Sequence, residues 1–426
     1  MSNEKLHNND FLKNTLALLS GTAGAHLITL IALPFLQRYF YSAADFANFA
    51  WFNEFVLIFV TVSALRLETG IVLEKEERQA RILTNVSLKL VILVSLVGLL
   101  TAVIGSFFIS TFQLVFKEPW MFLLIPISIG TLGIIQVLSS WYTRNESFKF
   151  LAGSKLYQTS STTLSQVGFG LIKFAHSGLI IGKSIGTSVV SLILLKRYWK
   201  LSTDIEKGTK KEKRDLIRKN RDFILYTMPS TFLGTFINFI FINLFIRYYG
   251  EDLTGILATS KLYLGMGLGL ISSAFSQVFY SQIAKIDDVS HLKKYYTYWL
   301  KRLVIIALSV LVVVSIIPNS WIIVILGEEW DQLIPVTRVM AIWIGILFVS
   351  SSLSYIYIKL NRQRTLIYFD LFNLSLTFGS IILSYYLYQD FWISLYWFTT
   401  AKGFYYLFAI FATYYFFKNP VAKKNH

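Results

Sequence analysis

KRYWKLSTDIEKGTKKEKRDLIRKNRD, residues 196–222, is the longest strongly polar interruption in the chain and lies near its midpoint. It is crowded with lysine and arginine, and what stands on either side is mostly apolar. A soluble protein has no reason to confine its charge in this way. In a membrane protein, short loops rich in Lys and Arg stay on the cytoplasmic side. The segment therefore reads as a cytoplasmic connector between two membrane-embedded halves.

Composition supports this reading. The 426 residues are 54% hydrophobic and 15% charged, with mean hydropathy +0.55. Soluble proteins average about 25% charged residues, so the polar surface that soluble domains need is missing. The formal net charge of +16 sits in loops between apolar runs, without any pattern for nucleic-acid binding. The absence of cysteine excludes disulfides and thiolate metal sites. The polar start MSNEKLHNNDFLKN leads directly into an apolar span and has no small-residue cleavage site, so no removable signal peptide is expected.

A helix needs about 20 apolar residues to cross about 30 Å of hydrocarbon. On that measure the first half holds six spans, over 14–37, 49–73, 84–112, 120–143, 155–174 and 178–195. The second half holds six more, over 223–246, 254–283, 303–326, 333–357, 366–388 and 391–417. The expected fold class is thus an all-α polytopic membrane protein with twelve transmembrane helices in two six-helix lobes. The lobes would be residues 1–195 and 223–426, joined by the basic loop 196–222.

Charge asymmetry gives the orientation. With the N-terminus cytoplasmic, one side collects Lys75, Arg78 and Arg81, then Arg144 and Lys149, then the connector. Lys285, Lys293, Lys294, Lys301 and Arg302 follow, then Lys359, Arg362 and Arg364, and the tail adds Lys418, Lys423 and Lys424. The other side has Arg38, Lys117 and Arg247 beside Glu251, Asp252, Glu328, Glu329, Asp331 and Asp390. Both termini are expected inside. An internal echo, KEPWMFLLIP before span four and GEEWDQLIP before span ten, suggests duplicated halves.

Charges within spans are expensive unless they face a partner or an aqueous cavity. The candidates are Arg66 and Glu68 in span two, Lys183 in span six, Lys261 in span eight, Arg338 in span ten and Lys402 in span twelve, with Glu54 and Asp370 as further carboxylates. Cations dominate, which suits an anionic ligand such as a phosphate in a hydrated cavity. The bland reading is that Lys183, Lys261 and Arg338 snorkel from helix ends. Arg66 and Glu68 stand two apart and would not share a helix face, so separate partners are expected. Glu54, Glu68 and Asp370 are candidates for coupling by protonation.

Gly178, Gly182 and Gly186 recur every four residues, a spacing suited to close helix contact. Gly265, Gly267 and Gly269 are expected to serve packing or bending, and Pro34 and Pro229 to kink spans one and seven. Of the five histidines, His7, His26, His176, His291 and His426, only His26 is clearly inside a span, and no metal-ligand spacing accompanies it. No Walker signature or catalytic arrangement is present. Neither an enzyme nor a bound cofactor is expected.

Several stretches resemble the oligosaccharide flippase family of bacterial polysaccharide synthesis, in the superfamily that also holds multidrug and toxic compound exporters (MATE). They are NTLALLSGTAGAHLITLIALPFLQRYFYSAADFANFAWF with Pro34, Arg38, Asp45 and Phe46, then ALRLETGIVL, SWYTRNESF, SGLIIGKSIG, FSQVFYSQIAK and ILGEEW. The resemblance covers nearly the whole chain and implies a MATE-like, two-lobed transporter working by alternating access. The implied cargo is a polyprenyl-diphosphate-linked oligosaccharide, moved to the outward leaflet for O-antigen, capsule or related polysaccharide synthesis, such as the lipopolysaccharide of an envelope.

Arg66, Lys261 and Lys402, with Arg338 and Lys183, are then the substrate-binding candidates. The implied setting is a bacterial inner or plasma membrane, with membrane lipids, a repeat-unit polymerase and an initiating sugar-phosphate transferase as partners and a monomer as the transporting unit. Coupling to protons, sodium ions or membrane potential stays open. The main alternative is a cation-coupled multidrug exporter of the same fold, and a glycan polymerase or ligase is a more distant one.

Overall fold

The computed structural model describes residues 2–200, 208–360 and 362–419, the side chains of residues 2–19, 175, 176, 363 and 364 excepted. Residues 201–207 of the basic connector, and Lys423, Lys424 and His426 in the tail, lie outside the described residues, as do the side chains of His7, His176 and Arg364.

The described chain is all helical. In order the helices are α1 (Ser2–Tyr39), α2 (Ala43–Val62), α3 (Leu67–Leu73), α4 (Glu77–Phe108), α5 (Ser110–Val115), α6 (Leu124–Arg144), α7 (Phe148–Leu171), α8 (Ala175–Lys200) and α9 (Lys210–Lys219). There follow α10 (Met228–Tyr249), α11 (Glu251–Ala284), α12 (Val289–Ile316), α13 (Asn319–Leu326), α14 (Leu333–Ser352), α15 (Ile356–Lys359), α16 (Gln363–Tyr388) and α17 (Phe391–Lys418). Three aspartates set helix starts. Asp45 closes a capping box with Ser42 ahead of α2. Asp288 accepts the Ser290 and His291 amides at the start of α12, and Asp390 accepts the Ile393 amide at the start of α17.

Among the described residues, nine helical segments are long and apolar enough to cross a membrane. α7 misses that measure through its Ser, Thr and Gln content, and α17 through tyrosines and tryptophans that score as weakly hydrophobic. Expected span two is not one helix. It breaks between α2 and α3, where Leu65 and Arg66 adopt left-handed backbone at φ 52° and 61°. Expected span ten is interrupted by a turn at residues 353–355, between α14 and α15, without left-handed backbone. Expected span nine is two helices, since α12 starts earlier, at Val289, and ends at Ile316, and the rest of the span is α13. The connector is partly helical too, because α8 continues to Lys200 and α9 carries its own capping box from Thr209 to Glu212.

Pro229 is the second residue of α10 and directly follows one π-helical turn at Phe223–Thr227, so it stands where the helical segment Phe223–Tyr249 changes its winding. Pro34 does lie inside α1.

The chain divides into two compact units, Met1–Phe239 and Ile240–His426. In the first, α7 lies against α1 and α8, and α6 against α4 and α8. A Cβ on Gly182 would come within 2.8 Å of the Gln166 backbone nitrogen, and one on Gly186 within 2.7 Å of that of Thr162. The glycine repeat thus permits α7 and α8 to touch backbone to backbone, as its spacing predicts. Gly265, Gly267 and Gly269 differ, since a Cβ on any of them would meet nothing within 4 Å. They pack against no neighbour.

In the second unit α14 is the central helix, packed by α11, α12 and α17. Its most apolar window is 67% buried, whereas that of α12 is 11% buried, which leaves most of α12 exposed. The internal echo has a structural counterpart. A long helix, a short helix, a 3-10 turn and a second long helix recur as α4, α5, Pro119–Leu123, α6 and as α12, α13, Glu328–Trp330, α14. Both second helices begin Leu-Ile-Pro, with Pro126 and Pro335 in the first turn, where no amide partner is lost. The tryptophans of the echo differ, Trp330 being buried and Trp120 exposed.

Candidate functional site

Each unit holds a lysine inside the helical packing on a neutral amide. In the first, Lys183 of α8 donates to Asn53 Oδ1 of α2 at 2.7 Å. Its ammonium also lies 5.6 Å from the centre of the Phe49 ring, a cation–π distance. Glu54, next to Asn53, is within electrostatic reach. Lys183 therefore points into the packing between helices and does not snorkel to a helix end.

Deeper in the same unit Arg66, Glu68 and Gln136 form a second polar cluster. Arg66 Nη1 donates to Glu68 Oε1 at 3.3 Å, and Gln136 Nε2 donates to the same oxygen at 2.5 Å. The expectation of separate partners fails here. Arg66 is not in the helix; it is the left-handed residue just before α3, and that turn swings its side chain back onto Glu68. Glu68 is buried, and its Oε2 has no hydrogen-bond partner. Arg66 keeps 27% of its side chain exposed.

The second unit holds the most buried cation of the set. Lys402 of α17 is 4% exposed and donates to Asn373 Oδ1 of α16 at 2.7 Å. Lys261 of α11 is its electrostatic neighbour and sits 5.7 Å from the Phe241 ring centre. Aromatic rings surround the pair. Phe398 lies 5.6 Å from the Lys402 ammonium, stacks on Phe241 at 4.3 Å and meets Trp343 edge-on at 5.6 Å. Trp343 in turn stacks on Tyr406, and Asp370 of α16 bears electrostatically on Tyr406 and Tyr405. Lys402 thus has its ammonium on an amide and against an aromatic face, and Lys261 lies beside the Phe241 ring.

Arg338 stands apart. Its Nη2 donates to the Ile317 carbonyl at 2.8 Å, so it ties α14 to the end of α12. His26 is half-buried on α1 near Lys155, and the described residues contain no cluster of three or more His, Asp or Glu able to hold a metal.

A search for formal charges missed the amides. Asn53 adjoins Glu54, Asn373 lies one helical turn beyond Asp370, and Gln136 stands in the middle of α6. Each is a polar side chain in an apolar span, which was the signal available. Glu74 was missed as well. Its carboxylate is 2% exposed and holds Lys219 at 2.6 Å and Asn220 at 3.3 Å, while Arg144 donates to the Glu74 and Lys75 carbonyls. These contacts fasten the basic connector to the end of α3.

Residues 40–335, more than half of the chain, match a family model described as polysaccharide biosynthesis protein. No curated protein matches the sequence. Solved structures do. The chain is similar to an inward-facing multidrug resistance MATE family transporter of the MOP superfamily, with 12% identity over 95% of this chain and 96% of that one, TM-score 0.65. It is similar to the MATE multidrug transporter DinF-BH, with 11% identity over 96% and 95%, TM-score 0.65. It is also similar to a MOP superfamily transporter from Pyrococcus furiosus, with 13% identity over 95% and 96%, TM-score 0.59. At these identities the likeness establishes the fold, an all-α, polytopic, MATE-like membrane fold.

Proposed function

The chain belongs to the polysaccharide biosynthesis protein family, and from that premise we propose that it is a flippase for polyprenyl-diphosphate-linked oligosaccharides, working by alternating access in a bacterial cytoplasmic membrane. The observation that carries the reading is Lys402, buried on Asn373 with Lys261 close by and aromatic faces around both. A neutral amide orients the Lys402 ammonium without cancelling its charge, which suits the attraction of a diphosphate. Aromatic faces suit the C–H surfaces of sugars. Lys183, set on Asn53, supplies the same chemistry in the first unit, and Arg66 adds a partly exposed guanidinium.

In this reading the helices form twelve spans in two six-helix lobes, residues 1–195 and 223–426, with the basic connector and both termini cytoplasmic. The polyprenyl tail stays in lipid while the head crosses. A monomer holds the whole path, and the repeat-unit polymerase and initiating sugar-phosphate transferase are functional partners. Arg338, bound to the Ile317 carbonyl, takes a structural place instead of a substrate-binding one.

The second reading, a cation-coupled multidrug exporter, has its own support. Two of the solved structures above are described as multidrug transporters, so the fold favours it. Glu68 offers a buried carboxylate oxygen with no hydrogen-bond partner, an acceptor that a coupling cation would satisfy. The Pyrococcus furiosus protein, described as having a binding pocket of reverse polarity, supports the idea that one fold serves ligands of different charge.

The test is the leaflet distribution of radiolabelled polyprenyl-diphosphate oligosaccharide after depletion and restoration of the protein. Cytoplasmic-face accumulation reversed by wild type, but not by Lys402→Gln, is expected. An unchanged distribution together with drug-dependent efflux would turn the assignment to the exporter.

A further inference from the structure

The first turns of α12 carry a charged patch that the transport reading does not use. Lys293, Lys294, Lys301 and Arg302, with Tyr298 and Thr297, line a depression of about 650 Å³, and all four cations are exposed. Arg302 lies 4.1 Å from the Tyr298 ring centre and 5.6 Å from that of Trp299, so its guanidinium rests beside two aromatic rings. The neighbouring acids are turned elsewhere. Asp288 accepts the Ser290 and His291 amides, and Asp287 faces Lys359 at 3.7 Å.

The patch does not end in water. Along the same stripe of α12, three or four residues apart, come Ile305, Leu308, Val312 and Ile316, exposed by 62, 54, 59 and 71%. A helix so little buried presents this stripe to acyl chains, and Tyr298 marks the depth of the headgroups.

We propose that this face of α12 binds an anionic phospholipid, its phosphate held by Lys294, Lys301 and Arg302 and one acyl chain lying along Ile305–Ile316. A guanidinium fork fits a phosphate through two hydrogen bonds, and lysines near a membrane surface add attraction for anionic lipid. A soluble anion would match only the charged half of the stripe, and a neutral lipid only the apolar half. An amphiphile with an anionic head matches both. The inference stands whether the cargo is a glycolipid or a drug.

The test uses the full chain in phosphatidylcholine vesicles containing a photoreactive phosphatidylglycerol probe, or the same probe with a phosphatidylcholine head. The phosphatidylglycerol probe is expected to label residues 294–316 at least about tenfold more than its neutral counterpart. K293Q/K294Q/K301Q/R302Q brings the ratio to about one, and K210Q/K211Q/K213Q on α9 leaves it unchanged. Should the fourfold variant fail to fold, K294Q/K301Q is expected to lower the ratio several-fold. Excess inorganic phosphate leaves the labelling in place if the site takes a lipid. Equal yields from the two probes, labelling outside α12, or displacement by inorganic phosphate would each overturn the proposal.

Discussion

Lys402 Nζ donates to Asn373 Oδ1 at 2.7 Å, joining α17 to α16 around a lysine that is only 4% exposed. A hydrogen bond to a charged group contributes about 2 kcal/mol, and removing one partner strands the other. Asn373→Leu is therefore expected to destabilise by about 2 kcal/mol, because the ammonium stays buried without its acceptor. Lys402→Met costs less, since a neutral amide is easier to strand. The double variant recovers most of the loss yet moves no lipid-linked oligosaccharide. Thermal unfolding in detergent and the leaflet assay separate the two effects, and a transporting double variant would show that the pair is structural only.

The glycines of α8 and α11 should respond oppositely to alanine. Gly186→Ala forces a methyl to within 2.7 Å of the Thr162 backbone nitrogen, so α7 and α8 must separate. Overpacking of this kind costs about 1–3 kcal/mol. Gly267→Ala meets nothing within 4 Å and gains helix propensity worth up to about 1 kcal/mol. Thermal stability of the two variants in one detergent checks the difference in sign.

These two cases mark what was legible in the sequence. The membrane class and the helix-rich chain follow from apolar run length, and the α7–α8 contact follows from glycine spacing. The break in span two did not, because ALRLETGIVL contains neither glycine nor proline at Leu65 and Arg66, where the backbone turns left-handed. Helix periodicity predicted that Arg66 and Glu68 diverge; the break brought them together. Asn53, Asn373 and Gln136 carry no charge and so escaped a search built on charge, although each holds a residue that the search found. Lys183 and Lys402 were legible as intramembrane cations, but their amide partners stand on other helices, Asn53 on the distant α2 and Asn373 on the preceding α16.

The connector helix α9 should loosen in acid. Glu212 accepts the Thr209 amide and pairs with Arg78 at 2.7 Å, and these contacts, the backbone hydrogen bond foremost, hold its carboxyl below the ordinary 4.5. A depressed carboxyl contributes stability that is present above pH 4.5 and lost as pH falls through the lower folded value. The chain has no cysteine, so Arg214→Cys takes a single spin label. Its mobile fraction should rise as pH drops through that window, and Glu212→Gln should raise it at neutral pH and flatten the response. A response unchanged by Glu212→Gln would assign the loosening to another group.

The lack of cysteine also makes orientation measurable. Lys75→Cys is expected to react with an impermeant maleimide only from the cytoplasmic side, and Asp252→Cys only from the opposite side. Both residues are exposed next to helix ends. Reaction of both from one side would break the alternation on which the twelve-span topology rests.

Arg66 combines a backbone and a charge, and substitutions can part them. Its φ of 61° suits glycine, while a residue with a Cβ is disfavoured there by about 1 kcal/mol. Arg66→Gly should therefore keep the break between α2 and α3 and be about 1 kcal/mol more stable than Arg66→Ala. Both remove the guanidinium from Glu68, whose remaining hydrogen bond comes from Gln136. Adding Glu68→Gln to Arg66→Gly leaves two amides facing each other and removes the charge that Arg66 had balanced. If Arg66 serves only to hold that carboxylate, this double variant transports at the wild-type rate. If Arg66 attracts the phosphates of the cargo, the double variant is stable and slow, by at least about tenfold for the loss of one charge-assisted contact. Arg66→Lys, which keeps charge without the fork, should then fall between the two.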